Sequence, residues 1–218
     1  MSRLELGITT FAEVMEDPKT KKTISYDERI RQVVDEIKLA DDLGLDYFGI
    51  GEHHRKDFAA SAPHMILAAV APITKHIKLG SAVTVLSSED PVRVYQNFAT
   101  LNALSNGRAE VMVGRGSFIE SFPLFGYSLH DYDELFSEKL ELLLKIRDHE
   151  IVDYKGKHRS EIQHLGVYPR TDNLAISVAV GGTPESVIRA GKLGLPLFLA
   201  IIGGSPRMFK GLVDLYKR

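Results

Sequence analysis

An α/β fold built on a parallel sheet is predicted by three features of the chain. Short apolar segments rich in β-branched residues alternate with segments of helical periodicity. The strand candidates are apolar at successive positions, the pattern of a sheet covered on both faces by helices. Three helices open on an oxygen-bearing side chain followed by proline, at Asp90-Pro91, Thr183-Pro184 and Ser205-Pro206.

The elements follow in order. Residues 4–9 are the first strand candidate. Ser25 opens a helix, with Glu28 at the capping-box position. Ile30, Val33, Val34, Ile37 and Ala40 lie on one face of it, and Gly44 ends it. Residues 47–51 are the second strand, 65–71 a helix and 77–86 the third strand. Residues 109–113, Ala175–Val180 and 197–202 are the fourth, fifth and sixth. Phe209, Leu212, Val213 and Tyr216 mark the last helix. Six βα units are enough for an open doubly wound sheet and two short of a (β/α)8 barrel. In either, chemistry sits at the C-terminal ends of the strands.

One interval, at about 116–170, breaks this rhythm. It holds a loop, an amphipathic helix carrying Phe136, Leu140, Leu143 and Ile146, and a hairpin turning at Lys155-Gly156. We expect a single domain over residues 1–218 with this interval as an insertion. Residues 116–132 follow a strand's C-terminal end, so they are either an active-site loop or a structural insertion.

Composition excludes several classes. The net charge is -2, with no basic stripe for nucleic acid. The longest apolar runs, 65–73 and 195–204, are too short to span a bilayer. Without cysteine there is no disulfide framework, thiolate metal site or cysteine nucleophile. The start of the chain lacks the pattern of a signal peptide, and the cytoplasm is the expected compartment.

Glu52-His53-His54 directly follows the second strand, where titratable side chains need a polar cavity. Adjacent strand residues point to opposite faces, so His53 and His54 are not expected to act together. No HExxH spacing supports a metal site, and no GxSxG motif supports a serine triad. Gly114-Arg115-Gly116, Gly181-Gly182-Thr183 and Gly203-Gly204-Ser205 each end a strand. Glycines admit close ligand approach, the last two segments open helices whose free N–H groups suit a phosphate, and Arg115 adds two-pronged recognition. With neither GxGxxG nor a Walker A loop present, a mononucleotide such as FMN is the expected ligand.

The ordered set of motifs resembles the bacterial-luciferase-like monooxygenases. The resemblance lies in Leu45-Asp46-Tyr47-Phe48-Gly49-Ile50-Gly51-Glu52-His53-His54, Leu79-Gly80-Ser81-Ala82-Val83-Thr84-Val85-Leu86, Asp90-Pro91-Val92-Arg93, Leu104-Ser105-Asn106-Gly107-Arg108 and Gly114-Arg115-Gly116. It continues through Ala179-Val180-Gly181-Gly182-Thr183-Pro184 and Ile201-Ile202-Gly203-Gly204-Ser205-Pro206. The resemblance implies a (β/α)8 TIM-barrel fold, here incomplete after about six βα units. It also implies binding of reduced FMN or, in a sister group, the deazaflavin F420. The Glu52-His53-His54 version favours FMN.

FMN members of the family react with O2 to give a flavin C4a-hydroperoxide that oxidises a small organic substrate. A separate NAD(P)H:flavin reductase supplies the reduced flavin. By position, His53 matches a histidine beside the flavin with an acid/base or stabilising role. Glu52 is a candidate to orient it, and His54 is structural. Ser81-Ala82 matches a backbone segment under the flavin ring, often with a cis peptide. Arg115, Gly182 and Thr183 match phosphate-binding positions, joined by Ser186. Leu104-Ser105-Asn106-Gly107-Arg108 reads as a helix end capped by Gly107. A homodimer is expected.

Family chains are usually longer, and one member is a shortened flavoprotein without catalysis. A flavin binder or accessory subunit without turnover is therefore the second hypothesis. An aldolase or isomerase acting on a phosphorylated substrate is the third.

Overall fold

The computed structural model describes residues 3–202 and 204–218. Six parallel strands form one sheet: β1 (Gly7–Thr10), β2 (Tyr47–Ile50), β3 (Lys78–Val85), β4 (Ala109–Gly114), β7 (Ala175–Val180) and β8 (Leu197–Leu199). Between β4 and β7 lie the short α4 (Ser121–Leu124), the long α5 (Tyr132–Asp148) and an antiparallel hairpin of β5 (Ile151–Tyr154) and β6 (Ile162–Gly166). The other helices are α1 (Tyr26–Asp42), α2 (Pro63–Val70), α3 (Pro91–Leu104), α6 (Pro184–Lys192) and α7 (Lys210–Tyr216).

Spatial order in the sheet repeats chain order, β1-β2-β3-β4-β7-β8. A doubly wound sheet reverses direction at a switch point, and this one does not. The sheet instead curls into a half-barrel with helices on its outer side, and β1 and β8 stand at its two edges.

Strand alternation separates two faces. Phe48, Ile50, Leu79, Val111, Val113, Ile176 and Val178 are buried against the helices. The opposite face carries Thr9, Gly51, Ala82, Met112, Gly114 and Ala179, which are small apart from Met112, and this face is left hollow.

The helices close as their sequence requires. Ser25 Oγ accepts the Glu28 N–H, and Val33, Ile37 and Ala40 turn inward from α1. Asp90 accepts the Val92 and Arg93 N–H groups at the start of α3. At the end of α3, Asn106 and Gly107 are both left-handed, φ 54° and 86°. Arg108 then donates to the carbonyls of Ala71, Thr74, Ile77 and Ser105, so this motif ties loops together beneath the barrel. Asp41 does similar work from α1, accepting the N–H groups of Lys75, His76 and Ile77 at the entrance to β3.

Four local expectations are corrected. The first strand begins at Gly7 rather than residue 4, because the Leu6 N–H is taken by the Asp46 carboxylate (2.9 Å). β8 stops at Leu199, since the Ile201 and Ile202 N–H groups bond back to Leu199 and Ala200 and turn the chain. Pro206 starts a 3-10 turn, Pro206–Phe209, with Ser205 Oγ accepting the Arg207 N–H, and the α-helix begins only at Lys210. The hairpin spans a wider loop than a turn at Lys155-Gly156, because the Glu138 carboxylate accepts the Lys157 and His158 N–H groups (2.7 and 3.0 Å).

Candidate active site

The hollow face opens into a cavity of about 590 Å³ at the C-terminal strand ends. Its wall includes Thr9, Phe11, Gly51, Glu52, His53, Ala82, Val83, Met112, Gly114, Arg115, Gly116, Tyr132, Gly181 and residues 198–202. A cis peptide joins Ala82 to Val83, one bond beyond the Ser81-Ala82 pair singled out in the sequence. Ser81 itself points away. Its hydroxyl donates to the Met112 carbonyl (3.0 Å) and accepts the Met112 N–H (3.1 Å), where the β3–β4 register slips.

His53 sits in an aromatic box. Phe58 stacks on its ring at 4.3 Å between centroids, while Phe11 and Phe118 meet it edge-on at 4.7 and 4.8 Å. The side chain is 9% exposed, and burial holds its pKa below the ordinary histidine value, with the Glu52 charge opposing. Its backbone N–H is fixed to the Ala60 carbonyl (3.0 Å). A neutral imidazole beside an apolar cavity can take up or release a proton without a standing charge.

Glu52 does not orient His53. Its Oε1 bonds His54 Nε2 at 2.8 Å and its Oε2 accepts the Val85 N–H at 2.9 Å. The carboxylate therefore pins the ends of β2 and β3 together, and His54 is the ring it holds. Adjacent residues on opposite faces explain the division: His53 turns to the cavity, His54 to Glu52 and the Phe125 ring (5.2 Å).

Behind Glu52 lies a polar cluster that has no sequence motif. The Glu89 carboxyl is pushed up to about 7 by burial and by the Glu52 charge. Lys139 from α5 is 6% exposed, donates to the Ser87 carbonyl at 2.8 Å and rests over the Tyr127 ring at 3.7 Å. Burial brings its ammonium down to about 8.

Also in the cavity lining, Arg115 pairs with Asp133 (2.5 Å), donates to Thr183 Oγ1 (3.3 Å) and lies over the Tyr132 ring (5.2 Å). Tyr132 in turn donates to the Gly116 carbonyl (2.7 Å). Gly116 has φ +84°, and a Cβ there would come within 2.8 Å of Val85. Thr183 makes no capping bond to its own helix, so the first N–H groups of α6 lack that partner.

Of the residues singled out in the sequence, Glu52, His53, Ala82, Gly114, Arg115 and Gly181 line the cavity. Ser81, Gly182, Thr183, Ser186 and Gly204 lie outside its lining, and Gly203 falls outside the described residues. Phe11, Phe58, Phe118, Tyr132, Glu89 and Lys139 were missed. Phe11 follows the end of β1, and Tyr132 closes the 116–132 loop, so strand-end position was the available signal for these two. Among the described residues one group has metal-ligand spacing, Asp131, Glu134 and His158, and Lys157 already bonds Glu134 at 2.8 Å. No helix among them is long and apolar enough to cross a membrane.

A singly wound half-barrel with a cavity at its strand ends, lined by an imidazole and a guanidinium, has the form of a small-molecule site of the barrel-enzyme class. The family model for luciferase-like monooxygenases matches residues 4–218, and the chain belongs to that family.

The chain is 31% identical over 188 residues to N-acetyl-S-alkylcysteine monooxygenase of Bacillus subtilis (strain 168), covering 84% of this chain and 54% of the relative. It is 28% identical over 173 residues to an F420-dependent glucose-6-phosphate dehydrogenase of Amycolatopsis mediterranei (strain U-32), covering 75% of this chain and 51% of that one. The fold superposes, with a TM-score of 0.81, on the oxygenating constituent of 3,6-diketocamphane monooxygenase of Pseudomonas putida in complex with FMN. That match has 20% identity and covers 98% of this chain and 61% of that one. The chain spans about half the length of the curated relatives it matches.

Proposed function

We propose that this chain binds FMN in the half-barrel cavity and serves an oxygenase that uses reduced FMN and O2 to oxidise a small organic substrate. The observation that carries this is the presence, in the lining of one cavity, of a buried neutral His53 and an Arg115 cluster suited to phosphate. The cavity volume falls within the range of cofactor sites, about 300–1,000 Å³. Arg115, Gly181, Gly182, Thr183 and the start of α6, with Ser186 in its first turn, would hold the phosphate end. The small residues Gly51, Ala82 and Gly114 would let a flat ring approach the backbone.

Bound reduced FMN would supply the electrons that activate O2. The chain's own part is to position the ring, keep water away with Phe11, Phe58 and Phe118, and exchange a proton at an imidazole nitrogen of His53. A separate NAD(P)H:flavin reductase would supply the reduced flavin. Glu52 acts at one remove, by holding the strand ends that carry His53 and Val85. We read residues 1–218 as one domain with an insertion at about 116–170. A homodimer belongs to the same reading, with the exposed Leu39 of α1 and Leu43 just after it as candidate contacts.

Two observations favour second readings. The F420-dependent relative makes the deazaflavin the alternative cofactor. Phe118, one wall of the box around His53, is itself 36% exposed, and a site less than fully closed to water favours a flavin binder without turnover. One experiment separates the three. Oxidised FMN and F420 are titrated into the protein, the FMN complex is reduced without oxygen, and O2 is then admitted. Tight FMN binding with reoxidation much slower than that of free reduced FMN supports the oxygenase. Tight binding with immediate reoxidation supports the binder. Binding of F420 alone, or of neither, overturns the FMN assignment.

A further inference from the structure

The ion pair between Arg115 and Asp133 carries an inference that rests on the reading of Arg115 as the phosphate anchor. Arg115 is held on three sides. Tyr132 lies under the guanidinium and is itself bonded to Gly116; Thr183 accepts from Nη2; Asp133 accepts from Nη1. Two of these supports are compatible with an incoming anion. An aromatic face and a hydroxyl orient the guanidinium without neutralising it. Asp133 is different, because its carboxylate takes the place a phosphate oxygen would take, on the same N–H donor and with the same sign of charge.

The surroundings of Asp133 mark it as displaceable. Its side chain is 69% exposed, against 25% for Arg115. Among the described residues, Arg115 is the only side chain that bonds its carboxylate. It stands in the first turn of α5, where its backbone is fixed by the helix and a carboxylate swung out to solvent still faces a favourable dipole. Arg115, by contrast, is anchored on the cavity wall whether Asp133 stays or leaves.

We propose that Asp133 is an internal counter-ion that occupies Arg115 in the free protein and competes with the phosphate of the flavin, so that it sets the affinity of the site for phosphorylated ligand. Binding then exchanges one anion for another at Arg115. The exchange weakens retention of FMN, as suits a flavin that must enter and leave.

The test compares the whole protein with its Asp133→Asn and Asp133→Ala variants, titrated with oxidised FMN, riboflavin and inorganic phosphate at low ionic strength. Asparagine keeps the shape and removes the charge, and alanine removes both. FMN is expected to bind about two- to fivefold more tightly to both variants, as for loss of an exposed competing charge. Riboflavin, which has no phosphate, should bind all three proteins equally. The dissociation constant of inorganic phosphate, obtained from its competition with FMN, should fall by a similar factor in the variants. Added salt should narrow the difference.

Unchanged or weaker FMN binding in both variants overturns the proposal. Equal tightening for riboflavin overturns it as well, because the effect would not pass through phosphate. If the parent protein binds neither flavin, the flavin reading fails and the inference with it. If the parent binds both flavins equally, the flavin reading stands, but the Arg115 phosphate assignment and this inference fail.

Discussion

The Glu52 carboxylate accepts the Val85 N–H at 2.9 Å and so joins the end of β2 to the end of β3, among the residues that line the cavity. Glu52 is 5% exposed, so its replacement by alanine leaves a buried N–H and the His54 ring without their partner. Glu52→Ala should lose about 1–3 kcal/mol of stability, read as a fall in Tm of several degrees. Glu52→Gln, which keeps an acceptor for Val85, should lose less. A parental Tm in Glu52→Ala would show that the clamp contributes nothing.

Neutralising Glu52 also removes the charge that helps to raise Glu89. Glu89 has a folded pKa of about 7, above its unfolded value, so the folded state holds a proton that the unfolded state has released. Its contribution is present below the unfolded pKa and is lost as pH rises toward about 7. His53 works in the opposite sense, since its folded pKa is depressed and acid disfavours its neutral native form. A Glu89→Gln variant should therefore gain stability relative to the parent as pH rises from 5 to 7, a shift readable by thermal melts across that range. A constant difference at every pH would contradict the assigned proton.

How much of this was legible in the sequence depends on whether a local pattern encoded it. Ser25, Asp90 and the Asn106-Gly107 pair act on N–H and carbonyl groups within one turn of themselves, and a short window of sequence carries that information. Strand-end glycines and the placement of His53 followed from the βα rhythm. The pairing of Glu52 with His54, and not His53, depends on which face each ring takes after the strand ends, and alternation alone suggested only that the two differ. Phe58, Phe118 and Lys139 reach the site from segments between strands, through contacts that no periodicity records. The βα rhythm alone left two sheets open, because both use the same units; the family resemblance implied the barrel, and the unreversed strand order bears that out.

Arg115 tests the phosphate end directly. Arg115→Ala should weaken FMN binding about tenfold or more, the effect of losing charge-assisted hydrogen bonds, and leave riboflavin binding nearly unchanged. Arg115→Lys should recover part of the loss, since the charge returns without the planar two-pronged geometry. Equal losses for FMN and riboflavin would place Arg115 beside the ring and not the phosphate.

Gly116 connects that end to the floor of the site. Its φ of +84° disfavours any side chain, and a Cβ would press on Val85, which Glu52 holds. Gly116→Ala should cost about 1–2 kcal/mol in backbone conformation alone, with a larger relative loss in flavin affinity than in Tm. A fully stable variant with parental FMN affinity would show that the loop adapts freely.

Phe118 offers the cleanest view of His53. Its ring meets the imidazole edge-on at 4.8 Å, yet it is itself 36% exposed, so truncation should open the box without collapsing the core. Burial is the main cause of the depressed His53 pKa, and removing one wall admits water to the ring. Phe118→Ala should therefore move the His53 pKa upward toward the ordinary histidine value, measured by the titration of its ring proton resonances. The stacked Phe58 remains in this variant, so the shift should be partial. If His53 serves as the proton-exchanging group, the acid limb of any oxygenase activity should move upward by the same amount. An activity profile that stays fixed while the His53 titration moves would separate this imidazole from the chemistry and leave it a structural neighbour of the cavity.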